Sequence, residues 1–140
     1  MCVASASADR SVRIWSTTCA RPVRILSELT SAVTELVASP DGLSLITADR
    51  QRHLTFWDVR MWKILQSLST KNVVYTARFS PEGRTLAIAG AKGFFEQFRL
   101  SGHDVVCYAR FSPGRVSYDS SLRFLTSRFC NDTSVFVGAA

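Results

Sequence analysis

A β-prone run closed by Ser-Pro and a nearby glycine occurs three times along the 140 residues, and this repetition restricts the possible folds more than any other feature. The copies are Ala32-Val33-Thr34-Glu35-Leu36-Val37-Ala38-Ser39-Pro40-Asp41-Gly42, Val73-Val74-Tyr75-Thr76-Ala77-Arg78-Phe79-Ser80-Pro81-Glu82-Gly83 and Val105-Val106-Cys107-Tyr108-Ala109-Arg110-Phe111-Ser112-Pro113-Gly114. Proline cannot donate to a strand ladder and glycine admits positive φ, so each run ends in a turn. A second motif alternates with the first. Ser5 to Trp15 reads as strand, tight turn, strand, and so does Leu45 to Asp49 followed by His53 to Asp58. Trp15 and Trp57 stand 42 positions apart, and Pro40 and Pro81 stand 41 apart, so two independent markers give one period. Helical periodicity is sustained nowhere, which predicts an all-β chain.

A period near 41 holding about four short strands is the signature of a β-propeller blade. Here the sequence resembles the WD40-repeat family. The resemblance is carried by Trp57-Asp58, Trp15, the turn aspartates Asp9 and Asp49, the Ser-Pro-Asp/Glu-Gly turns, and Ser101-Gly102-His103, which matches the Gly-His that opens such a repeat. The blades lay out as 2–29 (partial), 32–69 (complete), 72–100 and 104–138 (partial). Pro81 and Pro113 stand only 32 positions apart. That is about nine residues short of the period, roughly one strand with its turn, so the 72–100 blade is expected to lack its outer strand. Strand 105–112 then opens the next blade. About three and a half blades do not close a ring, so the chain reads as an open sector of a propeller, most simply a truncated form or fragment.

The resemblance implies a hydrogen-bonded set in each blade: Asp in the second turn, His before the first strand, Ser or Thr in the second strand, Trp in the third. No blade carries the whole set. The second has Asp49, Thr47 and Trp57, with Thr30 aligned to the histidine. The third has Lys71 there. The last has His103 and Asp132, with Gly138 aligned to the tryptophan. The Asp49 turn reads two residues longer than the Asp9 turn. His53 is expected to be exposed at a strand start.

The 17 Lys and Arg against 11 Asp and Glu leave a formal charge of +6. The excess is mostly arginine, which favours planar, bidentate partners such as carboxylates and phosphates. Four cysteines, at 2, 19, 107 and 130, form no CxxC pair, and neither His53 nor His103 stands near a cysteine pair, so no metal site is expected. No run approaches the roughly 18–20 apolar residues of a membrane span, and the N-terminus lacks the pattern of a secretory leader. Reduced thiols in the cytoplasm or nucleus are the expectation. Gly90-Ala91-Lys92-Gly93 lacks the ending of a phosphate loop and reads as a turn. With no catalytic constellation and no cofactor motif, the expected role is a non-catalytic protein-interaction scaffold. The alternative is an RNA-binding or ribonucleoprotein-associated module, and association of blade edges with a second copy is a further expectation. The candidate partner-binding residues are the turn arginines Arg10, Arg50 and Arg52, facing an acidic partner, and the aromatics Trp62, Phe94 and Phe95.

Overall fold

The computed structural model describes residues 2–19, 21–101, 104–111, 124–130 and 134–139, with side chains described except at 108, 109 and from 111 onward. The first sheet has three strands in the order β1 (Cys2–Ala6), β2 (Val12–Ser16), β3 (Pro22–Leu26). The second runs β4 (Val33–Ala38), β5 (Ser44–Asp49), β6 (His53–Asp58), β7 (Lys63–Ser69). The third contains β8 (Val74–Phe79), β9 (Thr85–Gly90), β10 (Phe95–Ser101) and β11 (Asp104–Phe111), and β12 (Phe124–Cys130) pairs with β13 (Ser134–Ala139). Every pairing is antiparallel. The sheets form an open series of blades, as the period predicted.

The repeated Ser-Pro-Asp/Glu-Gly signature is a hairpin turn with a definite chemistry. Gly42 and Gly83 take φ of 70° and 71°, the left-handed region where glycine carries no Cβ penalty. Their amides donate to Ser39 O and Ser80 O, each at 2.9 Å. The serine hydroxyls then accept the amide across the turn: Ser39 Oγ from Ser44 N at 2.9 Å and Ser80 Oγ from Thr85 N at 3.1 Å.

Alternation along the central strands divides the core in two. Leu45 and Trp57 point toward the first sheet and pack with Val12, Ile14, Leu26 and Leu29. Their neighbours Ile46 and Phe56 point the other way, into a cluster with Ala77, Leu86, Ile88, Phe94 and Phe98. An ion pair across the same interface joins Arg78 Nη1 to Glu35 Oε1 at 2.8 Å.

The third sheet departs from the expected blade. Its outer position is filled by β11, which pairs with β10 from Ser101↔Asp104 to Phe95↔Phe111. The run that resembles a first strand is thus a fourth strand, and the 72–100 blade does not lack its outer strand. Two causes are visible. Without β11 the β10 edge would be unpaired, and β11 is the nearest β-prone segment that can turn back on it. The register also sets Arg110 opposite Glu96, the place held by Ser67 opposite Thr55 in the second sheet. Glu96 is fully buried, and Arg110 Nε lies 2.6 Å from its Oε1.

The turn after β9 shows why this blade has no aspartate there. A Cβ at Gly90 would run into the Val73 carbonyl oxygen and lie 2.6 Å from the Phe94 ring. The Val73 oxygen already accepts Ala91 N at 2.9 Å. Gly90→Ala is therefore expected to cost about 3 kcal/mol, the overpacking range for an obstacle that is largely backbone, read as a lower urea midpoint.

Candidate interaction site

In this antiparallel order, the turns between second and third strands and the connections between sheets lie at one end of the blades. Three turns meet there: residues 7–11, 49–53 and 90–94. They share one hydrogen-bond plan. Ser7 N donates to Ser11 O at 3.1 Å and Gly90 N to Phe94 O at 3.2 Å, while Arg10 N reaches Ser7 O at 3.3 Å and Arg52 N reaches Asp49 O at 3.2 Å. The first two turns are thus equal in length, against the expectation from sequence. What differs is where the carboxylate sits. Asp49 ends β5, at the position of Ser7, whereas Asp9 lies inside its turn.

The two carboxylates do different work. Asp49 is 2% exposed, and its Oδ1 accepts His53 N at 2.9 Å. Its Oδ2 lies 3.1 Å from His53 Nδ1 and 3.3 Å from Thr30 Oγ1. Thr30 stands where the family histidine would, and His53 supplies the imidazole from the other side, half-buried rather than exposed. Deeper in the same sheet, Trp57 Nε1 donates to Thr47 Oγ1 at 3.0 Å, so the buried indole carries no orphaned donor. Asp9 is exposed. It accepts Ser11 N at 3.0 Å and pairs with Arg13 Nη2 at 2.8 Å. The Ser11 hydroxyl, with Arg13, holds its carboxyl well below the usual carboxylate range. Asp58 has a turn role too, its Oδ1 accepting Arg60 N at 2.7 Å and Met61 N at 2.9 Å.

Arg10, Arg50 and Arg52 are exposed at this end. Ser7 O, in the Arg10 turn, accepts Val33 N at 3.4 Å, and Ala32 O accepts Arg50 N at 3.0 Å. Both turns are thus tied to the Ala32–Val33 peptide, which brings Arg10 and Arg50 to one locus. Arg10 and Arg52 have φ of 68° and 69°. The equivalent position in the third sheet is Gly93, also at 68°. The left-handed Arg52 peptide is held by Thr70, whose amide and hydroxyl donate to Arg52 O at 2.8 and 3.1 Å.

The aromatic candidates separate from the arginines. Phe94 is 1% exposed inside the cluster between the second and third sheets, so it cannot meet a partner; its turn position aims the ring into space that an aspartate or histidine would otherwise use. Trp62 lies at the opposite end, in the β6–β7 turn, and packs against the cluster between the first two sheets. Phe95 is half-buried at the start of β10. Gly102, His103 and Asp132 lie outside the described residues.

Sequence reading missed Lys92, which is exposed at φ 61° in the third turn. The signal was present, because Lys92 falls in the same turn of the period as Arg10 and Arg52. At this end the described acidic groups are Asp9, tied to Arg13, Asp49, buried, and Glu28. The other end holds a groove between the second and third sheets, lined by Asp41, Asp58 and Glu82 together with Arg60, Arg84 and Arg99. Its charges are mixed in sign. No group of three His, Cys, Asp or Glu placed to hold a metal occurs among the described residues, and no helix there is long and apolar enough to cross a membrane.

An open series of antiparallel sheets, one of three strands and two of four among the described residues, with tryptophan–hydroxyl pairs and turn aspartates, defines a propeller-like repeat protein. The WD domain, G-beta repeat family matches residues 1–16. WD repeat and SOCS box-containing protein 1 of Homo sapiens is 33% identical over 85 residues, covering 57% of this chain and 20% of that protein. Transducin beta-like protein 3 of Rattus norvegicus is 29% identical over 98 residues, covering 70% of this chain and 12% of that protein. A chain from the crystal structure of a mitotic checkpoint complex superposes with a TM-score of 0.75 at 16% identity, over 90% of this chain and 38% of that one, which shows the fold. These findings support the WD40-repeat family, and this chain spans a fifth or less of the curated relatives it matches.

Proposed function

We propose that this chain is a non-catalytic scaffold that holds an acidic protein segment against the arginines of its blade turns. The supporting observation is the backbone at Arg10 and Arg52. Both occupy a left-handed conformation that the third sheet gives to Gly93. A side chain there costs about 1 kcal/mol relative to glycine, so two guanidinium groups are kept where glycine would be more stable. Arginine forks match carboxylates bidentately, and Arg50 and Lys92 add charge at the same end.

The test uses a polyglutamate peptide as the probe. Arg10→Gly with Arg52→Gly is expected to weaken its binding by about tenfold or more, since each charge-assisted bond is worth ~1.5–3 kcal/mol, while the melting temperature stays level or rises. Arg50→Glu with Arg52→Glu is expected to abolish binding with stability unchanged. Peptide affinity untouched by either pair would sink the reading. The +6 charge also suits RNA. An oligouridylate that binds more tightly than the peptide, with an affinity falling by about 0.7 log unit per log unit of salt for each phosphate neutralised, would favour that alternative instead.

The order of blades and turns, at Ile46-Thr47-Ala48-Asp49, Trp57-Asp58, Leu65-Gln66-Ser67-Leu68 and Pro81-Glu82-Gly83, resembles the later blades of the serine/threonine kinase receptor-associated protein. On that reading the partners are proteins of receptor-kinase signalling or of ribonucleoprotein assembly, met in the cytoplasm or nucleus.

A further inference from the structure

The 49–53 turn places an imidazole beside its arginines. Asp49 Oδ1 accepts the His53 amide at 2.9 Å, and Asp49 Oδ2 lies 3.1 Å from His53 Nδ1. Thr30 Oγ1 comes within 3.3 Å of both that oxygen and that nitrogen. A carboxylate only accepts, so Nδ1 is the nitrogen that carries the proton in the neutral ring, and Nε2 is left as a bare acceptor. No hydrogen bond to Nε2 forms among the described residues, and Nε2 is not one of the buried unpartnered side-chain atoms. The His53 side chain is 38% exposed. Nε2 therefore faces water at the end of the blades where Arg10, Arg50 and Arg52 are exposed.

Holding Asp49 does not require a histidine. The work at Nδ1 needs one donor, which an asparagine amide would supply. The second nitrogen is left over, and its chemistry differs between the two states of the ring. In the neutral ring its lone pair opposes an incoming carboxylate. Protonation turns the same atom into a charged donor, next in sequence to Arg52. Histidine is the side chain whose charge changes between about pH 5 and 8.

The charged groups around the ring come from every neighbouring element. Asp49 on β5 is in contact. Arg50 and Arg52 belong to the same turn, Glu28 to the connection that carries Thr30, and Lys71 to the connection after β7. β7 itself sets the uncharged Ser69 opposite His53. The turn of the first sheet adds Arg10, and Asp9 paired with Arg13. The Asp49 carboxylate favours a charged ring and the cations oppose one. A bound carboxylate would offset the cations and accept from Nε2 at once. We propose that His53 is the pH-dependent member of the acidic-segment site, taking one proton from solvent as the segment binds and donating from Nε2 to one of its carboxylates. This rests on the acidic-segment reading above.

The probe is an oligoaspartate peptide, whose carboxyls stay ionised from about pH 5.5 to 8, titrated calorimetrically into the whole chain. Binding should be about tenfold tighter at the acid end of that range, as expected for one added charge-assisted hydrogen bond. Near neutral pH, paired titrations in buffers of different ionisation heat should show net proton uptake on binding. His53→Asn keeps a donor for Asp49 and removes Nε2. It should bind as the unaltered chain does at the alkaline end, with no gain on acidification and no proton uptake. Arg52→Gly should weaken binding at every pH and keep the pH dependence. The chain's other histidine is His103, and uptake that survives in His103→Asn assigns the proton to His53, a readout that stands even if His53→Asn folds poorly. Equal affinity at both ends of the range, a pH dependence retained in His53→Asn, or proton uptake lost in His103→Asn overturns this inference and leaves the acidic-segment reading in place. No binding at either end, with the fold intact, overturns both.

Discussion

Trp57→Ala is expected to cost about 3–5 kcal/mol, the range for deleting a fully enclosed aromatic side chain. For a chain of this size that lowers the melting temperature by on the order of 10 °C. Trp57 is 0% exposed and its indole nitrogen donates to Thr47. Truncation empties the centre of the cluster between the first two sheets and leaves the Thr47 hydroxyl without its donor. Trp57→Phe separates the two losses. It keeps most of the packing and removes the hydrogen bond, so about 1–2 kcal/mol should go. Trp15→Ala has a like bond to lose, from its Nε1 to Ser5 Oγ at 2.9 Å, but Trp15 is only half-buried, and its cost should be well below that of Trp57→Ala. Equal losses at the two positions, measured by chemical denaturation of dilute protein, would contradict this account of the core.

Arg110→Ala is expected to destabilise the third sheet by about 2–3 kcal/mol. Glu96 is fully buried, and neither carboxylate oxygen has a hydrogen-bond partner with good geometry among the described residues. Its compensation is the short ion pair with Arg110 Nε. Removing one member of a buried pair costs ~3–5 kcal/mol where no water reaches the survivor. Arg110 is 55% exposed, so water enters the vacated space and the loss is smaller. The second sheet shows a neutral solution at the same two positions, with Thr55 Oγ1 3.2 Å from Ser67 Oγ. Glu96→Thr combined with Arg110→Ser should therefore recover most of the stability lost in Arg110→Ala. A double variant as unstable as the single one would show that β11 is not held by this pair.

Much of the fold was legible because its markers are local. The spacing of Trp15 from Trp57 and of Pro40 from Pro81 reports the blade, and Ser39, Gly42, Ser80 and Gly83 each perform a turn function set by residue type. The position of β11 was not legible, for a physical reason. Its run of Val-Val and Ala-Arg-Phe-Ser-Pro matches β8 residue for residue in character, and character alone does not say which edge a strand joins. The pairing that accompanies the observed choice joins Glu96 to Arg110, residues with no local signature. The candidate site divides along the same line. That Arg10, Arg50 and Arg52 all fall in turns at one end followed from the period, while the equivalence of Arg10 with Arg52 came only from the turn hydrogen bonds, and the burial of Phe94 depends on Gly90 admitting the Val73 peptide. Thr30 in the histidine position was legible, but the approach of His53 Nδ1 to Asp49 was not, because it depends on how the turn places the ring.

The alternation of Leu45 with Ile46, and of Phe56 with Trp57, has a consequence for how the molecule comes apart. Neighbouring residues on one strand serve different clusters, so the second sheet is the layer through which the first and third are energetically connected. In repeat architectures coupling runs between nearest neighbours. A lesion in the first sheet therefore reaches the third by loosening β5 and β6, and the middle blade sets whether the described part melts as one cooperative unit or as two.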